Sequence, residues 1–213
     1  MPKVYLLGGE SVYHRSAKEI NLLAFQDAAK MPSALVFAWA RPSFDNTYRR
    51  RKMVSDYFRS LGAASVEYVE YGEASNLEEK ISSSDLIYLT GGQASILLER
   101  IRNMFLEELL RNFKGVIIGR SAGALALCRG CVTTFRYSRK VRVVKGVGIA
   151  PVTLKAHYIA EDDEILKQFS HNQPIYAVPK DSALIYREGN LSANGPVYLF
   201  IDGERQVFTE TTL

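Results

Sequence analysis

The stretch VIIGRSAGALAL, Val116 to Leu127, decides how this chain is read. Val116, Ile117 and Ile118 read as a buried strand, and the small apolar residues from Ala122 onward read as a helix. Gly119-Arg120-Ser121-Ala122-Gly123 between them matches G-x-S-x-G, the elbow that holds a nucleophilic serine on a sharp strand-to-helix turn. A serine in such a sparsely allowed backbone conformation costs about 1–3 kcal/mol. Crowding at that turn explains the glycines, because side chains at 119 and 123 would collide with the neighbouring strand and helix. The Ala122 N–H then points where an oxyanion forms. The plainer alternative is a tight turn whose serine caps a helix.

Outward from the elbow, apolar runs alternate with helical stretches, the pattern of a parallel α/β sheet. KVYLLGG, SALVFAWA, ASVEYVEY, SDLIYLTGG and GVIIG read as five strands in chain order. SAKEINLLAFQDAAK carries Ala17, Ile20, Leu23, Ala24 and Ala28 at helical spacing. NTYRRRKMVSDYFRSLG reads as a helix closed by Gly62, and QASILLERIRNMFLEELLRNF as one broken helix or two short ones. Beyond Cys131 the chain turns β-branched and basic. The tail IYAVPKDSALIYREGNLSANGPVYLFIDGERQVF reads as several short strands, with Asn194-Gly195 and Asp202-Gly203 as hairpin turns. Residues 1–213 are expected to form a single α/β domain with an antiparallel edge or appendage.

Composition narrows the function classes. The chain has 213 residues, 47% of them apolar, so it can bury a full core, and its formal charge of +4 is too mild to demand nucleic acid. The basic run Arg49–Lys52 reads as a solvated helix face, and neither it nor RKVRVVK is organised with aromatic partners into a nucleic-acid module. No apolar run approaches the roughly 18 residues that span a bilayer. The N-terminal stretch turns polar too soon for a secretion signal, which makes the cytoplasm the expected location. Cys128 and Cys131 supply two ligands at most, so they read as structural, and no metal site is expected. LTGGQAS lacks the spacing of a phosphate-binding loop, and no cofactor is implied.

A serine hydroxyl needs a base, and histidine is the usual one. Of the three histidines, His157 ends the strand-like run PVTLKAH and can be carried to the same sheet edge as Ser121. His14 follows the first glycine loop, and His171 lies in a polar connection. An acid after the histidine could orient it. Asp181 in VPKDSAL stands at another strand end, and Glu161, Asp162 and Asp163 are the alternatives. The order Ser, His, acid excludes the ordinary α/β-hydrolase.

YLTGG followed by Gln93, then IIGRSAGA, then AHY some 36 residues after the serine, together resemble the peptidase E family of serine peptidases, which includes aspartyl dipeptidases and cyanophycinases. The resemblance covers roughly residues 3 to 187. It implies a three-layer α/β sandwich with a mostly parallel sheet, related to class I glutamine amidotransferases, here with C-terminal antiparallel strands. It also implies Ser121 as nucleophile, His157 as base, an oxyanion hole from the N–H groups of Gly92 and Ala122, and Gln93 near the substrate. The family commonly places its third catalytic group, a glutamate, in a Pro-Glu-Gly step. Here Lys180 stands at that position with Asp181 beside it, so Asp181 takes the role, or a dyad acts alone, or activity is lost. Glu161 and Asp163 stand where cyanophycinases carry arginines, which argues against cyanophycin. Arg120 inside the elbow is unusual for the family; it faces substrate, a neighbouring acid or solvent. Arg136, Arg139, Lys140 and Arg142 could hold a substrate carboxylate or simply guard an exposed strand edge. The expected activity is hydrolysis of short peptides, some with N-terminal aspartate, by a chain free to form a homodimer. The alternatives are an esterase or amidase on a small metabolite, and a non-catalytic binding protein.

Overall fold

The structure is a computed structural model that describes residues 1–42, 48–72, 76–135 and 138–212, with backbone alone for 48–50, 134–135 and 138–140. Its elements are β1 (Lys3–Leu7), α1 (Lys18–Ala28), β2 (Ser33–Phe37), α2 (Tyr48–Ser60), β3 (Ser65–Val69), α3 (Leu77–Ser82) and β4 (Leu86–Leu89). There follow α4 (Ala94–Asn103), α5 (Leu106–Asn112), β5 (Val116–Arg120), α6 (Ala122–Leu127), β6 (Cys128–Phe135), β7 (Ser138–Lys145) and β8 (Ala150–Ala156). A 3-10 turn at Ala160–Asp162 leads into α7 (Asp163–Ser170), then β9 (Ile175–Val178), β10 (Ala183–Arg187), β11 (Asn190–Ile201) and β12 (Glu204–Thr212).

Successive strand residues point to opposite faces, and here both faces are apolar. Val4, Leu6, Leu35, Phe37, Ile87, Leu89 and Ile117 pack in one layer with α4, α5 and α6. Tyr5, Leu7, Ala34, Val36, Leu86, Tyr88, Val116 and Ile118 pack in the other with α1 and α2. Helices therefore cover the sheet on both sides, the three-layer arrangement a buried parallel sheet requires. On α1 the buried residues are Ile20, Asn21, Ala24 and Phe25, while Leu23 is 37% exposed. The expected apolar face included Leu23; the larger Phe25 ring, stacked edge-on against Phe58, takes that burial instead.

The sheet runs β3-β2-β4-β5-β1-β10-β11-β9-β8-β6-β7, with β12 paired to β11. The block from β3 to β1 is parallel throughout, and β6, β8 and β9 form a second parallel block. The antiparallel tail strands were expected at an edge. Instead β10 and β11 join the two parallel blocks in mid-sheet, β10 antiparallel to β1 and β11 antiparallel to β9. Nor are they uniformly short, since β11 has 12 residues and β12 has 9. Asp202-Gly203, both at positive φ, closes the β11–β12 hairpin as expected. Asn194-Gly195 does not make a hairpin. It lies within β11, where the register shifts between Ser192 and Val197, and Gly195 at φ 79° spends its conformational freedom on a bulge. The β10–β11 turn is made by Glu188-Gly189.

Gly8 and Gly9 follow β1, and both positions are crowded. A Cβ on Gly8 would stand 2.0 Å from the Pro179 carbonyl oxygen and 2.3 Å from that of Val178. Those are backbone atoms at the end of β9 and just beyond it, and cannot yield cheaply. Gly8→Ala should therefore destabilise the fold by about 1–3 kcal/mol or more, read as a lower urea midpoint; an unchanged midpoint would show that this corner relaxes.

Candidate active site

The elbow is built by local crowding. At φ 53° and ψ −106°, Ser121 sits between β5 and α6 in a conformation L-residues seldom adopt. A Cβ on Gly119 would lie 2.6 Å from the Ala124 nitrogen, and one on Gly123 would lie 2.3 Å from the Leu89 carbonyl oxygen on β4. Glycine at both positions lets α6 fold back against the sheet. The Ser121 N–H donates to the Leu7 carbonyl at 2.9 Å, and its own carbonyl accepts from Leu125 N–H at 2.9 Å.

β8 delivers His157 to the same edge. Its ring Nε2 lies 2.6 Å from Ser121 Oγ. With the hydroxyl donating, the imidazole carries its proton on Nδ1. His157 is itself at φ 54°, its N–H donates to the Gly8 carbonyl at 3.0 Å, and its ring lies over Gly9, where a Cβ would come within 2.3 Å. The other histidines are elsewhere: His14 lies edge-on to Tyr13, and the His171 ring packs against the Gly203 turn.

Asp181 reaches this edge too, at φ 59°, with its N–H donating to the Gly9 carbonyl at 2.8 Å. Its carboxylate, however, accepts from Ser16 Oγ at 2.5 Å. Among the described residues no hydrogen bond joins His157 to a carboxylate. Two of the alternative acids are also engaged, and the third, Glu161, is exposed: Asp162 pairs with the buried Lys155 at 2.9 Å, and Asp163 accepts from Tyr158 at 2.6 Å and from Arg205 at 3.0 Å. These contacts tie the segment after His157 to β8 and β12. The side-chain pattern offered no sign of them, because Arg205 is 42 residues from Asp163.

Gly92 follows β4 and Ala122 follows β5, each three residues beyond the paired Leu89 and Gly119. Gly92 is pressed against Ala40, whose carbonyl oxygen a Cβ would approach to 2.2 Å. Gln93 is exposed at the start of α4 and makes no side-chain cap. Arg120 is half-buried with its guanidinium 5.9 Å from the centre of the Tyr88 ring. Near it lies Glu10, which sequence reasoning missed. Glu10 accepts from Tyr88 OH at 2.6 Å and from Asn21 Nδ2 at 2.8 Å. Burial pushes its carboxyl up, while those bonds and the positive field of Arg120 pull it down.

Other expectations can be placed. Cys128 and Cys131 are free and buried, and burial raises both thiols, Cys131 to about 12. Arg51 pairs with Glu70, and Lys52 with Asp56 at 2.6 Å. Arg136 lies outside the described residues, as do the side chains of Arg49, Arg50, Arg139 and Lys140. Among the described residues no cluster of three or more His, Cys, Asp or Glu could hold a metal, and no helix is long and apolar enough to cross a membrane.

Comparison with known proteins gives the family of the chain. Residues 42–193, more than half of the chain, match the family described as Peptidase family S51. The chain belongs to that family. S51 members are serine peptidases of the peptidase E and cyanophycinase group. No curated protein matches the sequence. The fold is shared with a peptidase from an acI-B1 Actinobacterium, at TM-score 0.76 and 20% identity, covering 100% of this chain and 97% of that one. It is also shared with a Listeria monocytogenes EGD-e protein named for peptidase E, at TM-score 0.68 and 17% identity, covering 91% of this chain and 98% of that one.

In this S51 chain, partial burial against Gly9 lowers the affinity of His157 for a proton, and the cations Lys180, Lys155 and Arg120 lower it further. The imidazole is thus held below the ordinary histidine value and is mostly neutral at pH 7. An NMR titration of the His157 ring should give a midpoint below 6.5. Lys180→Gln removes one opposing cation, so the midpoint should rise; a fall would show that the charges around the ring act differently.

Proposed function

We propose that this chain is a serine-type peptidase that hydrolyses short peptides through an acyl-enzyme formed on Ser121. The observation that carries this reading is the 2.6 Å contact between Ser121 Oγ and His157 Nε2 at a strained elbow. His157 takes the hydroxyl proton as Ser121 attacks the scissile carbonyl, then gives it to the leaving amine. The N–H groups of Gly92 and Ala122 hold the oxyanion, each such donor contributing about 3–4 kcal/mol. Water then attacks the ester, with His157 again the base. The reading is of a Ser–His dyad: the Asp181 carboxylate is held by Ser16, so Asp181 acts by fixing the loop beside His157. Gln93 and Arg120 flank the reacting atoms and contact substrate. Peptides with N-terminal aspartate are the finer form of the reading; they would have to draw on Arg120, whose guanidinium already lies over Tyr88 and acts on Glu10.

A second reading follows from the cations around His157. The imidazolium formed during attack has no hydrogen-bonded carboxylate among the described residues, as expected of a binding protein that has lost turnover. A fluorophosphonate probe separates the two. The parent protein should label at Ser121 and cleave dipeptides, and Ser121→Ala should lose both, with kcat down on the order of 10⁴-fold or more. Unchanged turnover in Ser121→Ala would refute the assignment, and an unlabelled, inactive parent would favour the binding protein.

A further inference from the structure

We infer that the cavity of about 280 Å³ beside Ser121 is the subsite for the side chain of the residue whose carbonyl is attacked, and that it selects a bulky apolar side chain. The inference rests on the nucleophile reading above and goes beyond it in naming the substrate class.

Place is the first argument. Thr90, Gly91 and Arg120 line the cavity, so it opens at the ends of β4 and β5 where Ser121 stands. A Cβ on Gly91 would lie 3.5 Å from Ser121 Cβ and 3.2 Å from Arg120 Nε. The missing side chain at 91 leaves the way from Ser121 into the cavity open. Size permits it: the volume lies near the lower end of the roughly 300–1,000 Å³ of whole-ligand sites, with room for a large side chain.

Chemistry is the second. Val12, Val36, Ala38, Met53 and Val54 form apolar walls, and Tyr68 adds an aromatic face. Of the three arginines at the lining, Arg41, Arg51 and Arg120, the last two face compensating groups. Arg51 pairs with Glu70 and lies 5.3 Å from the centre of the Tyr68 ring. Arg120 lies over Tyr88, and its field acts on Glu10. A carboxylate entering here would compete with Glu70 and Glu10 for those cations and would lose its hydration against aliphatic walls. An apolar side chain loses nothing polar and gains burial.

Dipeptides X-Ala, with X as Met, Leu, Phe, Ala or Asp, test this by their kcat/KM with the full chain. Met, Leu and Phe should exceed Ala and Asp by about tenfold or more, the scale on which apolar pockets discriminate. Val54→Trp should fill the cavity and reverse the order of Phe and Ala. A best substrate of Asp-Ala, a flat series, or a Val54→Trp variant that lowers every substrate in proportion would overturn the subsite. Fluorophosphonate labelling of the same protein separates the two levels. Labelling at Ser121 with a flat series sinks the subsite alone, whereas neither labelling nor turnover sinks the nucleophile reading and the subsite with it.

Discussion

The site depends on three consecutive carbonyl groups. Those of Leu7, Gly8 and Gly9 accept the N–H groups of Ser121, His157 and Asp181 at 2.9, 3.0 and 2.8 Å. All three donors are non-glycine residues at positive φ, between 53° and 59°. Each such conformation costs about 1–3 kcal/mol and persists only where its surroundings over-determine it. The end of β1 supplies that determination. It can do so because its own residues carry no side chains at the two crowded positions: Gly8 faces the Pro179 carbonyl and Gly9 faces the His157 ring. The topology follows from the same requirement. β5 runs parallel to β1, so its end lies beside Leu7. β10 runs antiparallel to β1, so its beginning lies there too, with Leu7 paired to both Arg120 and Ala183. An antiparallel strand in mid-sheet thus brings Asp181 to the edge where the parallel strands end.

Electrostatics decides what that geometry can do. As the proposed base, His157 has no hydrogen-bonded carboxylate among the described residues and must gain its orientation otherwise. His157 has its backbone anchored to Gly8 and its ring laid on Gly9, and the segment beyond it is pinned by the Lys155–Asp162 and Arg205–Asp163 pairs. Lys155 and Asp162 are both largely buried, so either one alone would be costly, and the pairing resists local opening. Burial and three cations favour the neutral imidazole needed to accept a proton, and the same terms disfavour the imidazolium that follows. On the proposed mechanism, the arrangement gives up stabilisation of the charged intermediate for a base that stays unprotonated at lower pH.

What could be read from the sequence was what neighbours in the chain enforce. Gly119 and Gly123 collide with atoms within a few residues or on the adjacent strand, so the elbow announces itself in five letters. The strand-to-loop position of His157 was legible for the same reason. Side-chain pairings over long separations were not. Ser16 and Asp181 are 165 residues apart, and no local pattern shows that the hydroxyl would occupy the carboxylate expected for a histidine. Asn194-Gly195 has the composition of a hairpin turn, yet Ala183 pairs with Asn194 and the strand runs on through it. The glycine there serves register, which only the neighbouring strands define. Gly8 and Gly9 read as a strand ending, and their role appeared only with the backbones that cross them.

Arg120 was the anomaly of the elbow, and the fold accounts for it. It pairs with Leu7 across β5 and β1, and Glu10 follows three residues after Leu7. A carboxyl buried as deeply as Glu10, with Tyr88 and Asn21 to bond it among the described residues, is pushed toward its neutral form. A guanidinium on the neighbouring strand opposes that push at long range, without displacing either hydrogen bond. The Tyr88 ring lies between the two roles, giving its hydroxyl to Glu10 and standing beneath Arg120. On this account the arginine beside the serine answers first to a buried acid on β1's extension. On the subsite proposed above, its charge is already engaged when a substrate arrives, and selection falls to the aliphatic walls of the cavity it borders.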